Sequence, residues 1–480
     1  PIAPRSQLPA EQLPDDEAAL LVSVGRQVET QFEQPHAVRW LQDENGRFFL
    51  LNATPITTLF PLPKPAPKGK ETRLFLNLNQ LAGAPHPLPT LVQSVWRILF
   101  PLGKAQSNIS ESSLLGSAGG RLFFDFTDLL GSRLSRRWLT RYLHQVQPNM
   151  LADLRQLVKK YRLKPNGRSL RRPLFPLLVD ALADLFWRDP EGVSIAIADW
   201  ATDYVREQQA TLTAYPAGAA RLRALRTTLA EAYGEAIRPV LATLLSGVAA
   251  QTLLAKLVQP KAAPEDLAIL QRGLPNQTTV NIDLALADLA MLLQSSPELI
   301  DHFQTHDPAS AIDALETFEE GPQFLLRWAE FMLRFGMFGG PLLDFSQPRG
   351  QESPAPLVQR LQQRLTAPSN KGHLQQQQLR HASEAAAERL LVAARHGLLG
   401  EWRQRLAGRL LRVIQHAATA QGHLEMMLQR LMVVVRHLLL AEGQRLQANG
   451  RLLDAQDVWH LTLTELIRTA DDPTLSLQPL

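Results

Sequence analysis

Two pairs of histidines are the first residues whose type and spacing could do chemistry. His302 and His306 stand four apart with Asp301 and Asp307 beside them, which puts both imidazoles on one helix face, as a metal pair needs. No Glu occupies the HExxH position and Asp307-Pro308 ends the segment, so a solvated helix end is expected rather than a metal site. His416 and His423, two turns apart with Glu425 nearby, are expected to be ordinary helix-face residues. Gly119-Gly120 and Gly339-Gly340 sit in no GxxxxGK[ST] or GxGxxG context, and there is no GxSxG elbow. With no cysteine in the chain, thiolate ligands, Cys nucleophiles and disulfides are excluded. From the residues alone we expect no catalytic centre and no metal site.

A charge cluster is the remaining signal. Between Arg133 and Arg172 there are twelve Lys or Arg residues and one acid, Asp153. Arg133, Arg137 and Arg141 fall at i, i+4, i+8 and form a stripe, with Trp138, Tyr142 and Tyr161 among the cations. This meets the electrostatic criterion for nucleic acid, and a basic nucleic-acid-binding protein is one reading. No recognised nucleic-acid module accompanies the charge, so a solvated helix that meets acids elsewhere is the stronger expectation. The net charge of +4 on 480 residues is small.

The elements that must position these residues are mostly helical. Leu, Ala, Arg and Gln dominate and apolar content is 45%. A helical run through Ala18, Leu21, Val22, Val28 and Phe32 precedes two strands, Val38–Trp40 and Phe48–Leu51, joined by an Asn45-Gly46 turn. A Pro/Lys-rich stretch, 60–70, reads as a linker. Arg73–Leu78 and Arg121–Phe126 alternate apolar and polar residues and could pair as strands. From Leu129 onward the pattern is helical, with prolines at helix starts. Gln375–Gln378 is expected in a mobile loop. A last helical tract, 379–448, carries one stripe through Leu406, Leu410, Val413, Ala417, Leu424, Leu428, Leu431, Val435 and Leu438. The best membrane candidate, Val240–Leu254, is short of the roughly 20 apolar residues a span requires, so no membrane segment is expected. Pro1-Ile2-Ala3-Pro4 lacks the features of a signal peptide, a cytoplasmic protein is expected, and the absence of Met suggests a start inside a longer chain.

Several segments carry a resemblance. Pro35–Trp40 followed by Gly46–Thr57, ending Thr54-Pro55-Ile56-Thr57, resembles the closing PxDIEW…GxxxxLQARPIT hairpin of an ATP-grasp domain in phosphoenolpyruvate synthases and rifampicin phosphotransferases. Gly120–Thr127 resembles GRxYxxxT of the rifampicin-phosphotransferase-like branch, and Arg272–Thr279 its RGLPxNxTT. Gly336–Glu352, with Asp344, Pro348 and Arg349, resembles G-[HM]-R-x-x-x-E-x-D-x-x-x-PRWxE. Gly443–Leu466 resembles the closing GxxLxxxGxLxxxxDVFxLTxxEL. The order and spacing hold over nearly the whole chain.

The resemblance implies a mainly α fold: a large helical acceptor-binding domain preceded by a small α+β remnant of an ATP-grasp domain. Its boundaries would be 1–58 for the ATP-grasp end, 59–128 for linker and short strands, 129–470 for the helical domain and 471–480 for a tail. It further implies an ATP- and Mg-using phosphotransferase in which an ATP-grasp domain loads a phosphohistidine domain, which serves an acceptor on the helical domain. Those two partner domains would act in trans or in a longer chain, and the small-molecule acceptor is not identified. The family's metal-binding Glu falls on Arg39, its Gln on Asn52 and its phosphate-binding Arg on Thr54. In the later motif its Arg falls on Phe338 and its Glu on Leu342. We therefore expect a degenerate relative or segment: a ligand- or partner-binding module that transfers no phosphate and binds no cofactor by itself. The alternative is the acceptor-binding component of a dikinase-type enzyme, with Arg334, Phe338, Leu342, Asp344 and Arg349 in the acceptor region.

Overall fold

The computed structural model describes residues 15–32, 36–43, 46–55, 73–100 (except 83 and 85), 114–130 (except 128–129), 171–259, 264–272, 278–365 and 371–475 (except 398 and 473). The chain divides into two compact units, 1–63 and 64–480. Arg133, Arg137 and Arg141 lie outside the described residues, as does most of the RGLPNQTT segment.

In the first unit, helix α1 (Asp15–Phe32) leads to an antiparallel pair, β1 (His36–Gln42) and β2 (Phe48–Pro55). The strands run further than the sequence pattern indicates, because Asn52, Ala53 and Thr54 continue the ladder opposite Arg39, Val38 and Ala37. The Asp43 carboxylate accepts from Arg47 N at 2.8 Å and Asp43 N donates to Arg47 O at 3.0 Å; Asn45, of the expected Asn45-Gly46 turn, lies outside the described residues.

The second unit opens with a three-stranded antiparallel sheet in the order β3-β5-β4: β3 (Phe75–Asn77), β4 (Leu115–Ala118) and β5 (Arg121–Asp125). The two look-alike segments do pair, Phe75 with Asp125 and Asn77 with Phe123. The one-turn helix α2 (Leu78–Leu81) and helix α3 (Thr90–Leu99) follow β3; α3 buries Leu91, Val92, Val95, Ile98 and Leu99.

The rest is helical: α4 (Arg171–Phe186), α5 (Pro190–Ala214), α6 (Ala219–Ala232), α7 (Arg238–Val258), α8 (Pro264–Arg272), α9 (Thr278–Gln294), α10 (Pro297–Thr305), α11 (Gly321–Phe335), α12 (Ala355–Leu365), α13 (Lys371–Ala394), α14 (Gly400–Ala448) and α15 (Leu463–Asp471). Proline stands in the first turn of α5, α10 and α11, where its missing N–H has no intrahelical partner to lose. Asp189 caps α5 by accepting from Gly192 N.

The last tract proves to be two helices. α13 ends at Ala394, the chain turns through Gly397 at positive φ, and α14 runs 49 residues. Gln375–Gln378, expected in a loop, lie inside α13: glutamine's straight side chain costs a helix little, and the polar run is no obstacle on a helix surface. α14 is the spine. Leu410, Val413, Ile414 and Ala407 enter one core cluster with α7, α8 and α13. One turn group further on, Leu428, Leu431, Met432, Val435 and Leu439 join a second cluster with α3, α5, α6 and α15. A third cluster gathers α9, α10, α11 and α12 around Phe303, Phe324 and Phe335.

α6 and α7 join without a break through a π-turn, Tyr233–Ile237, giving one helix from Ala219 to Val258. By length and composition alone this helix could cross a membrane, which the shorter 240–254 window did not suggest. Its residues Val240, Ala242, Ala250, Leu254 and Val258 are buried, and Gly247 lets it approach α14 so closely that an added Cβ would sit 2.5 Å from Ala417 Cβ.

Candidate functional site

Two loops face each other across a cleft of about 600 Å³, lined by Ala84, His86, Pro87 and Pro89 on one side and Pro341, Asp344 and Gln347 on the other. The second wall lies in the Gly336–Glu352 segment, whereas the first lies in no motif segment but leans on one, Gly120–Thr127.

The first wall leans on the β4–β5 turn. Gly120 has a φ of +71°, and an added Cβ would lie 2.6 Å from Pro87 Cβ, so only glycine allows this approach. Leu88 N donates to Gly120 O at 2.6 Å. Buried Asn79 ties the same wall to the sheet: its amide donates to His86 O at 3.1 Å and its carbonyl accepts from Leu122 N at 3.0 Å. Arg121 is buried and donates to Gly119 O at 3.1 Å, with burial pulling its pKa down. Thr127 accepts from Leu74 N at 2.9 Å. The Gly120–Thr127 segment is thus a scaffold for the 84–89 loop.

The second wall is the turn 341–347. Asp344 is buried and holds it: Oδ1 accepts from Ser346 N (3.2 Å) and Ser346 Oγ (2.5 Å), and Oδ2 from Gln347 Nε2 (3.3 Å). Trp96 on α3 donates to Leu343 O at 2.8 Å. Behind the turn, Arg436 on α14 makes a two-pronged ion pair with Glu352, Nε to Oε1 at 2.8 Å and Nη2 to Oε2 at 2.7 Å. Its Nη1 donates to Phe345 O and Ser346 O. The Arg436 hydrogen bonds hold Glu352 below its usual carboxylate range, against the opposing effect of burial. Trp459 packs edge-on to Phe345, ring centroids 5.9 Å apart, and lies under the Arg436 guanidinium at 5.8 Å.

Trp459 owes its place to the closing motif. Asp454 and Asp457 form a reciprocal cap on the 3₁₀ turn Ala455–His460, and Thr462 with Glu465 does the same for α15. Gly443 on α14 gives this turn room, since a side chain there would strike Ala455 O.

Of the acceptor-region residues, the structure brings Asp344 to the cleft and Arg349 directly behind it. Phe338 is buried in the α9–α12 cluster, and Leu342 packs half-buried against the α3–α14 core. Arg334 is exposed, its guanidinium 5.0 Å over the Phe335 ring, and is not part of the cleft wall. Sequence reasoning missed Arg436, Trp459, Asn79 and the 84–89 loop. A signal for Arg436 was present: a lone arginine inside the apolar run Val433–Leu440 must find a partner when buried.

In the first unit, Arg39, Asn52 and Thr54 share one face of the hairpin, Arg39 opposite Asn52 and Thr54 two residues on, and all three are exposed. These three side chains bring a cation and no carboxylate to this face, a poor set for Mg²⁺. His302 and His306 stack with centroids 4.0 Å apart beside Phe318, and His306 Nδ1 lies 2.9 Å from His302 O. Among the described residues, no group of three or more His, Asp or Glu side chains is placed to hold a metal.

The second unit is mainly helical, and the motif segments Gly120–Thr127 and Gly336–Glu352 brace the two walls of one cleft. Residues 239–421 match the family described as "Rifampicin phosphotransferase fourth domain". Rifampicin phosphotransferase of Bacillus subtilis is 23% identical over 96% of this chain and 52% of its own length. Those of a Streptomyces species and of Streptomyces sviceus are 24% and 26% identical, over 94% and 96% of this chain. The chain is a distant homologue of the rifampicin phosphotransferase and PEP-utilising enzyme family, and it spans about half the length of the curated relatives it matches.

Proposed function

We propose that this chain is the ligand-holding helical module of a phosphotransferase of this family, that its ligand sits in the cleft between 84–89 and 341–347, and that it transfers no phosphate by itself. The observation that carries the reading is convergence. Gly120–Thr127, Gly336–Glu352 and Gly443–Leu466 lie far apart in sequence, and each braces one wall of the same cleft. A cleft of this size, with apolar prolines and a few fixed polar groups, suits a small molecule.

The relatives are named for rifampicin, so rifampicin is the first ligand to test. Phosphoryl transfer would need an ATP-grasp domain with its carboxylate and arginine in place and a phosphohistidine domain, supplied by partner chains or by a longer chain. The hairpin face of Arg39, Asn52 and Thr54 supports the reading that ATP and Mg²⁺ are handled elsewhere. A cytoplasmic setting belongs to the same proposal.

Calorimetric titration of the chain with rifampicin tests it, followed by incubation with ATP and Mg²⁺. Saturable binding without AMP release is expected. Phosphorylated rifampicin formed by the chain alone, or no binding at millimolar ligand, overturns the reading.

A further inference from the structure

Among the described residues that line the cleft, His86, Asp344 and Gln347 carry polar side chains, set between Pro87, Pro89 and Pro341. Asp344 has little left to offer a ligand. It is buried, its Oδ1 accepts from Ser346, and its Oδ2 accepts from Gln347 Nε2 at 3.3 Å. Gln347 is exposed and spends one amide hydrogen on Asp344, which orients the side chain and leaves its Oε1 as an acceptor.

His86 is held from behind. Ala84 and Leu88, two residues to either side, are buried, and Leu88 N is tied to Gly120 O. The carbonyl of His86 itself is turned into the wall, where it accepts from the buried Asn79 amide at 3.1 Å. With the backbone committed to the sheet, the exposed imidazole is the part of His86 left for the cleft. A side chain carried on an anchored loop loses less freedom when a ligand engages it. A neutral imidazole offers one N–H donor and one lone-pair acceptor, and an amide oxygen only accepts. A hydroxyl suits such a pair, because one oxygen both donates and accepts. The lining residues include no lysine or arginine to hold a phosphate, and the three prolines give an apolar surface to the rest of a small molecule.

We propose that His86 is a specificity-determining residue of the cleft: its imidazole hydrogen-bonds a hydroxyl of the ligand, with Gln347 Oε1 as the acceptor on the facing wall. The proposal rests on the cleft being the ligand site and adds the group on the ligand that it selects. Asp344 acts only through Gln347, by holding that amide in place.

The test is calorimetric titration of the full chain with rifampicin and with rifampicin acetylated on its hydroxyls, for wild type, His86→Leu, His86→Gln and the cleft-filling Pro341→Trp. His86→Leu is expected to weaken rifampicin about tenfold, the effect of one lost hydrogen bond that leaves a polar group unmet. It should leave the already weaker affinity for the acetylated compound unchanged, because the hydroxyl that His86 meets is gone from both sides of that comparison. His86→Gln keeps a donor and an acceptor and should recover most of the rifampicin affinity, which covers a leucine variant that does not fold. Equal rifampicin affinity in wild type and folded His86→Leu, or an equal loss for both compounds, overturns the proposal. If Pro341→Trp abolishes binding while His86→Leu binds as wild type does, the role of His86 falls and the cleft stands. Rifampicin binding that survives Pro341→Trp, or no binding to wild type, overturns the cleft and this proposal with it.

Discussion

The Arg436 guanidinium on the long helix α14 grips the Glu352 carboxylate through two parallel hydrogen bonds, 2.8 and 2.7 Å, and in doing so fixes the 341–352 turn to the spine of the helical unit. Arg436 is almost fully buried, so the pair is worth more to the structure when intact than either partner alone. Replacing Glu352 by Ala leaves a buried cation, and we expect a loss of about 3–5 kcal/mol in unfolding free energy. Urea denaturation checks it.

The same pair sets a pH dependence. Glu352 is held below its ordinary pKa of 4.5, first by its hydrogen bonds to Arg436. A depressed carboxylate adds stability that is fully present above its unfolded pKa and is lost as pH falls through the folded one. Stability should therefore drop as pH falls below 4.5. Glu352→Gln should flatten that part of the profile; an unchanged slope would show that other carboxylates set it.

Gly120 and Pro87 give a second test. Gly120→Ala adds strain at φ +71° and a 2.6 Å approach to Pro87 Cβ, so the 84–89 wall must move. A loss of about 1–3 kcal/mol is expected, together with weaker ligand binding. Unaltered affinity in a folded Gly120→Ala protein would separate the β4–β5 turn from the cleft.

The contact of Gly247 with Ala417 decides whether α7 is a core helix. Gly247→Leu should force α7 from α14 and lower the thermal midpoint by several degrees, an overpacking cost of about 1–3 kcal/mol. A variant as stable as wild type would mean that the apolar length of α7 serves another purpose.

The helical architecture was legible because its cause is local. First-turn prolines mark α5 and α10, a periodic apolar stripe marks α14, and alternation marks the β3–β5 pair. The break between α13 and α14 was not, since the stripe from Leu406 to Leu438 lies wholly in α14 and the turn through Gly397 comes before it. The cleft was only half legible. Asp344 and Arg349 stood in a motif, whereas Arg436 and Trp459 come to them from 84 or more residues away through tertiary packing alone. No spacing rule reports a contact of that kind. Arg334, four residues before Phe338, faces solvent because its helix position lies off the buried row Phe324, Trp328, Phe331 and Phe335.

The central claim is that this chain holds a ligand in the 84–89/341–347 cleft and leaves it chemically unchanged. Equilibrium dialysis of the chain with rifampicin, ATP and Mg²⁺, followed by mass spectrometry of the bound fraction, addresses both halves at once. Rifampicin retained at about one equivalent with its mass unaltered is the predicted result; rifampicin carrying an added phosphate, or none retained, would contradict the account.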